Sequence, residues 1–194
     1  MYSFKVWNES EEEMEIISDE IEKCVMEEEV LPETIQGEAF VQFLDLCFQE
    51  ATYFSLKKAW WTECNDTSLQ EELKSFLEKE ITTLKWFGYD YSVAPEEDKR
   101  EMNIYIYRAT NEAKAILIRF FEDIFLREKK NMELVDSSQT LEDLCFFSAN
   151  SIIVGTVSHE FLLEVFPPNL EFEQAIKQFG SWDFREEIYS DIHI

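Results

Sequence analysis

Leu144 to Phe166 reads LCFFSANSIIVGTVSHEFLLEVF, three short apolar or alternating runs parted by Ala149-Asn150 and by Ser158-His159. Runs of this length, broken by small and polar turn residues, are the pattern of short antiparallel strands, so the stretch predicts a three-stranded meander. Pro167 and Pro168 end it. Asn169 then stands as the cap of a last helix carrying Leu170, Phe172, Ala175, Ile176 and Phe179 on its apolar side, and Gly180 closes it. The acidic tail from Ser181 to Ile194 offers Trp182, Phe184, Ile188, Tyr189 and Ile192 as docking points.

Upstream of the meander the period turns helical. Thr110 precedes a wide apolar stripe of Ala113, Ile116, Leu117, Phe120, Phe121, Ile124 and Phe125, and Arg127, Lys129 and Lys130 at its end suit the negative pole of a helix. Before it, Met102 to Tyr107 alternates apolar and polar side chains, and WFGYDYSV, Trp86 to Val93, is aromatic and alternating. The two predict a hairpin with the polar stretch Ala94 to Glu101 as its long tip. Ser68, three residues before Glu71, opens a helix through Leu69, Leu73, Phe76, Leu77, Ile81 and Leu84 that ends before Gly88. Glu38 to Trp61 is apolar around much of the helical circumference and predicts a buried central helix.

At the N-terminal end Tyr2, Phe4 and Val6 alternate with Ser3, Lys5 and Trp7, as in a short strand. Ser10, three before Glu13, forms a capping box for a helix that runs toward Glu29 with Met14, Ile17, Ile21, Cys24 and Val25 inward, and Pro32 stops it. The expected fold class is therefore α+β, with about five helices packed on short antiparallel strands. At 194 residues, 45% apolar, with four glycines and four prolines, the chain suits one domain with little linker.

Forty-two acids against seventeen bases leave a net charge of −25. That much negative charge repels nucleic-acid phosphates and anionic lipid, and speeds encounter with a basic protein. MYSFKVWNESEEE lacks the basic and apolar regions of a signal peptide, and no run of eighteen apolar residues occurs, so a soluble cytoplasmic protein is expected. The four cysteines Cys24, Cys47, Cys64 and Cys145 are widely spaced, and they read as free core thiols.

Catalytic patterns are thin. Two histidines, His159 and His193, leave little for a metal centre or a Ser-His-Asp arrangement, and no C-x-x-C, G-x-G-x-x-G or G-x-x-x-x-G-K-[ST] can be written. His159, beside Ser158 and Glu160, is the sole interior base, and Glu142-Asp143 or Glu122-Asp123 are carboxylate pairs able to hold a divalent cation. From these the sequence predicts no cofactor, and it leaves a metal-assisted hydrolase using carboxylates and His159 as the rival to a binding protein.

The densest signal is acidic. Residues 1 to 39 hold thirteen acids against Lys5 and Lys23. Glu11, Glu12, Glu13, Glu15, Asp19, Glu20, Glu22, Glu27 and Glu28 form the expected partner-binding face, an array of carboxylates matched to a lysine- and arginine-lined cleft. Trp60-Trp61, Trp86-Phe87 and Trp182 supply candidate aromatic anchors. The function expected is a non-enzymatic inhibitor of a basic protein, such as an immunity protein, an antitoxin or a nucleic-acid mimic. A structural or adaptor module whose acid only solubilises is the third reading.

Overall fold

A computed structural model of the chain describes residues 1–5, 34–58, 68–126, 141–149 and 151–186. In chain order these form β1 (Tyr2–Phe4), α1 (Glu38–Glu50), β2 (Tyr53–Lys58), α2 (Ser68–Leu73) and β3 (Leu77–Thr83). There follow β4 (Lys85–Trp86), β5 (Tyr89–Asp90), β6 (Met102–Arg108) and α3 (Asn111–Phe120). The last third holds β7 (Glu142–Ser148), β8 (Ser151–Val157), β9 (Leu162–Val165), α4 (Leu170–Ile176) and β10 (Trp182–Phe184). Eight strands make one sheet in the order β10-β1-β9-β8-β7-β2-β6-β3, every pairing antiparallel, while β4 and β5 form a separate small hairpin.

The meander forms as its sequence predicts, β7 to β9 turning at Ala149 and at a 3-10 turn over Ser158–Glu160. Both caps hold as well: Thr110 Oγ1 accepts from the Ala113 amide at 3.2 Å, and Asn169 Oδ1 from the Phe172 amide at 2.8 Å. The first strand is also present, edged by β10, so the tail does dock through Trp182, whose indole donates to the Ile176 carbonyl at 3.0 Å.

Four expectations are overturned, the first being that the helix capped by Thr110 runs through Phe125: it ends at Phe120, where the backbone extends at Phe121. The central helix stops at Glu50, the backbone extends at Ala51, and Tyr53–Lys58 becomes β2, paired with β6 on one side and β7 on the other. A short apolar run reads alike as buried helix or as a strand covered on both faces, and the sheet claimed it. The next helix ends at Leu73, and Leu77–Thr83, with β-branched Ile81, Thr82 and Thr83, is the edge strand β3. It takes the place beside β6 that the sequence assigns to Trp86–Val93, which instead folds back on itself as β4 and β5. Four α-helices are thus present among the described residues, against about five expected; the helix expected over Ser10 to Glu29 lies outside them. No helix among the described residues is long and apolar enough to cross a membrane.

Alternation along the strands divides the core in two. Phe54, Leu56, Tyr107, Leu144, Phe146 and Val165 face α1 to α4, where Phe40, Phe43, Leu44, Leu117, Phe172 and Ile176 pack on them. Ile104, Ile106, Cys145, Phe147 and Val157 point the other way, and Trp86 and Phe87 of the small hairpin cover them. Two glycines let the hairpin sit that close. Gly155 lies under the Phe87 ring, whose atoms would stand 2.7 Å from an added Cβ, and Gly88 (φ +76) would drive one to 2.2 Å from Val157 Cγ2.

Replacing Gly155 or Gly88 with Ala should therefore lift the hairpin and cost about 1–3 kcal/mol in urea unfolding, as overpacking does. Collisional quenching of Trp86 should rise in parallel. Unchanged stability with unchanged quenching in both variants would show that the hairpin does not rest on these contacts.

Candidate functional site: a buried lysine between two carboxylates

Under the hairpin the second face of the sheet is not purely apolar. Alternation in β2 puts Ser55 and Lys57 on that face, and Lys57 is 1% exposed. A buried ammonium is tolerated only with counter-charges and hydrogen-bond partners. The adjacent strand supplies them: Asp143 Oδ2 is 2.6 Å and Glu142 Oε1 3.2 Å from Nζ. From above, the Tyr89 ring covers the ammonium, its centroid 3.4 Å from Nζ.

Neighbouring strand residues ordinarily point to opposite faces, so two consecutive carboxylates reaching one lysine need a local break. The register between β2 and β7 slips between Ser55 and Lys57, and Asp143 takes a left-handed backbone, φ 57. This bulge turns Glu142 to the lysine's side. Asp143 is among the residue types that tolerate the conformation, and its surroundings hold it there. The Ser158 amide donates to Asp143 Oδ1 at 2.7 Å, and the Asp143 amide donates to Ser158 Oγ at 3.2 Å. Tyr89 O–H donates to Asp143 Oδ2 at 2.8 Å. The Asp143 carboxylate is thus gripped on both oxygens, whereas Glu142 Oε1, close to Nζ, has no well-aligned hydrogen bond.

Electrostatics follow from this. Burial first, and the Asp143 charge second, push the Glu142 carboxyl up to about 7 against the pull of Lys57. Burial, with Asp143 next, holds the Tyr89 phenol far above its ordinary range. Cys145, on the same face, is pushed up to about 12 by burial and by Asp143, and burial alone raises Cys47 well above its ordinary value. Both are free and buried, so neither is a ready nucleophile. Cys24 and Cys64 lie outside the described residues.

His159 lies at the solvent edge of the cluster, its side chain 44% exposed, and Tyr89 is half-buried. Its Nδ1 lies 3.4 Å from Tyr89 Oη and 4.0 Å from Glu142 Oε2, and Nε2 is 3.9 Å from Glu160 Oε1. Glu142-Asp143 and His159, separate hints in the sequence, are therefore brought together, with one ligand-type atom from each within 4.8 Å of the others. Lys57 is what the sequence reading misses. Its own ammonium already stands against both carboxylates and would repel a divalent ion placed there. The signal for it was available: once YFSLKK is read as a strand, period two places Lys57 beside Ser55 on a covered face.

The other expected sites are placed differently. Glu11, Glu12, Glu13, Glu15, Asp19, Glu20, Glu22, Glu27 and Glu28 lie outside the described residues, as do Trp60, Trp61 and His193. Trp86 and Phe87 are core, 5% and 1% exposed, not anchors, and Trp182 is half-buried. Of the Glu122-Asp123 pair, Asp123 is buried and its Oδ1 accepts the Phe125 amide at 3.0 Å.

Lys57→Met should cost about 3–5 kcal/mol by leaving two buried carboxylates uncompensated, and adding Glu142→Gln and Asp143→Asn should recover much of that in chemical denaturation. Equal losses in the single and triple variants would deny the pairing its role. The pH response is also determined in sign. With Glu142 raised from 4.5 to about 7, the folded state holds a proton in that interval that the unfolded chain releases. Its contribution to stability is present at acid pH and lost as pH rises through about 7. The melting temperature of Glu142→Gln minus that of the native protein should accordingly climb from pH 5 to pH 8, and a flat difference would contradict the assignment. Zinc titrated into the native protein should show no stoichiometric uptake, and tight binding would restore the metal-assisted reading. Comparison of the chain with models of protein families, with curated proteins and with solved structures finds no match.

Proposed function

We propose that the chain is a non-enzymatic inhibitor, a single acidic domain acting in the cytoplasm that occludes a basic cleft on a partner protein. Immunity proteins, antitoxins and nucleic-acid mimics work by this physics. The observation that carries the reading is the concentration of charge: −25 in all, with thirteen acids against two bases in residues 1 to 39.

Two features of the described body support it. Many of its cations are engaged by acids: Lys5 with Asp183, Lys85 with Asp90, Lys99 with Glu96, Lys114 with Asp45, Arg119 with Glu72 and Lys177 with Glu173. Locally neutralised pairs add little to the distant field, which is then set by the surplus acid of the chain, −11 of the −25 lying in residues 1 to 39. Of the described residues of catalytic type, Lys57, Asp143 and Glu142 are sealed, while His159 reaches solvent. Lys57, Asp143 and Glu142 are 1%, 0% and 6% exposed, so a substrate has no direct route to them in this arrangement. Binding would begin with electrostatic steering and end with charge-assisted hydrogen bonds from the glutamates to lysines and arginines of the partner.

Immobilised full chain, exposed to extract of the native host and eluted on a salt gradient, should retain a basic protein that releases as ionic strength rises. With that protein purified, changing Glu11, Glu12, Glu13 and Glu15 together to Gln should slow association at low salt on the order of tenfold or more. Retention of only acidic or salt-indifferent proteins, or equal rates for the neutralised variant, overturns the proposal. The latter result would favour the adaptor module whose acid is only solubilising.

A further inference from the structure

We infer that Lys57 and Asp143 are the two halves of an intramolecular isopeptide bond, a covalent tie between β2 and β7 that the folded chain can form without any other molecule. The inference rests on geometry independent of the acidic surface. An amine and a carboxyl that meet in water form an ion pair and stop, because both charged forms are hydrated. In this protein Nζ and the carboxylate are withdrawn from water, 1% and 0% exposed, with 2.6 Å between Nζ and Oδ2. Fixed proximity of the two groups replaces a bimolecular encounter.

The remaining groups stand where condensation requires them. Asp143 Oδ1 faces the Ser158 amide at 2.7 Å, a donor placed to hold the negative charge that develops on that oxygen when nitrogen attacks Cγ. Oδ2, the oxygen that must leave, is the one contacted by Lys57 and by the Tyr89 hydroxyl at 2.8 Å. Glu142 Oε1, 3.2 Å from Nζ and lacking an aligned partner, is the proton carrier between them. Its raised titration suits a group that must accept and return a proton near neutrality.

The balance closes within the chain. Of the three ammonium protons, one stays on nitrogen, and two travel by way of Glu142 to Oδ2. The Nζ lone pair forms the new bond to Cγ as the C–Oδ1 double bond opens onto Oδ1. That double bond re-forms as the Cγ–Oδ2 bond breaks and Oδ2 departs as water. One ammonium and one carboxylate become one amide and one water, with no oxidant or reductant, no change of net charge, and Glu142 returned to its starting state. The exposed side of His159 borders the cluster where the water must escape.

Intact-mass spectrometry of the folded native chain, purified and then denatured, decides the matter. The expected mass is that of the sequence less one water, and proteolysis should yield a branched peptide joining the segment of Lys57 to that of Asp143. Glu142→Gln, folded by its near-ultraviolet circular dichroism, should keep the full mass or lose water many times more slowly. Asp143→Ala and Lys57→Arg should keep the full mass outright. The full sequence mass in folded native protein after prolonged incubation overturns the inference. So does a lost water that maps to any other pair of residues, and undiminished cross-linking in Glu142→Gln removes Glu142 from the carrier role.

Discussion

Much of the sheet's second face is arranged around one buried positive charge. Lys57 sits in the middle of the fold, on a strand flanked by β6 and β7, where its ammonium has no bulk water to meet. A charge in that position is stable only if the chain brings counter-charges to it, and the local geometry follows from that demand. It accounts for the bulge in β7, for the left-handed backbone of Asp143, and for the hydrogen bonds by which Ser158 and Tyr89 fix the carboxylate. Apolar packing alone calls for none of these.

The same demand explains the hairpin of β4 and β5. Trp86 and Phe87 close the apolar part of the sheet, while Tyr89 covers the polar part, offering its ring to the ammonium and its hydroxyl to Asp143. One aromatic segment thus meets two surfaces of opposite character, and glycine at positions 88 and 155 permits the approach. Because the cluster is closed on this side, it acts on the chain itself, tying strands together. The buried cluster is thus a feature distinct from the acid-rich sequence of residues 1 to 39.

How far the sequence could be read depended on the origin of each signal. The meander, the caps at Thr110 and Asn169, and the strand at Tyr2 to Phe4 were legible because turn residues, capping side chains and strict alternation are local properties. Tyr53 to Lys58 and Leu77 to Thr83 were misread as helix, since a strand covered on both faces, or one placed at an edge, shows no period of its own. Only the neighbours β6 and β7 distinguish it. Glu142-Asp143 and His159 were each visible as chemically notable residues, yet nothing local indicated that a 3-10 turn would carry His159 back over the carboxylates, and Lys57 was hidden by the misassigned helix.

By itself the sequence determined the α+β class, the order of the last strands, the burial of Cys47 and the extreme acidity, all of which follow from composition and from contacts within a few residues. Tertiary structure alone decided the partner of Met102–Arg108, the two roles of the Trp86–Asp90 segment, and the meeting of Lys57 with Asp143 across eighty-six positions of chain. The reason is that strand pairing and the compensation of a buried charge are settled by which segments exclude water together, a property that no single segment possesses.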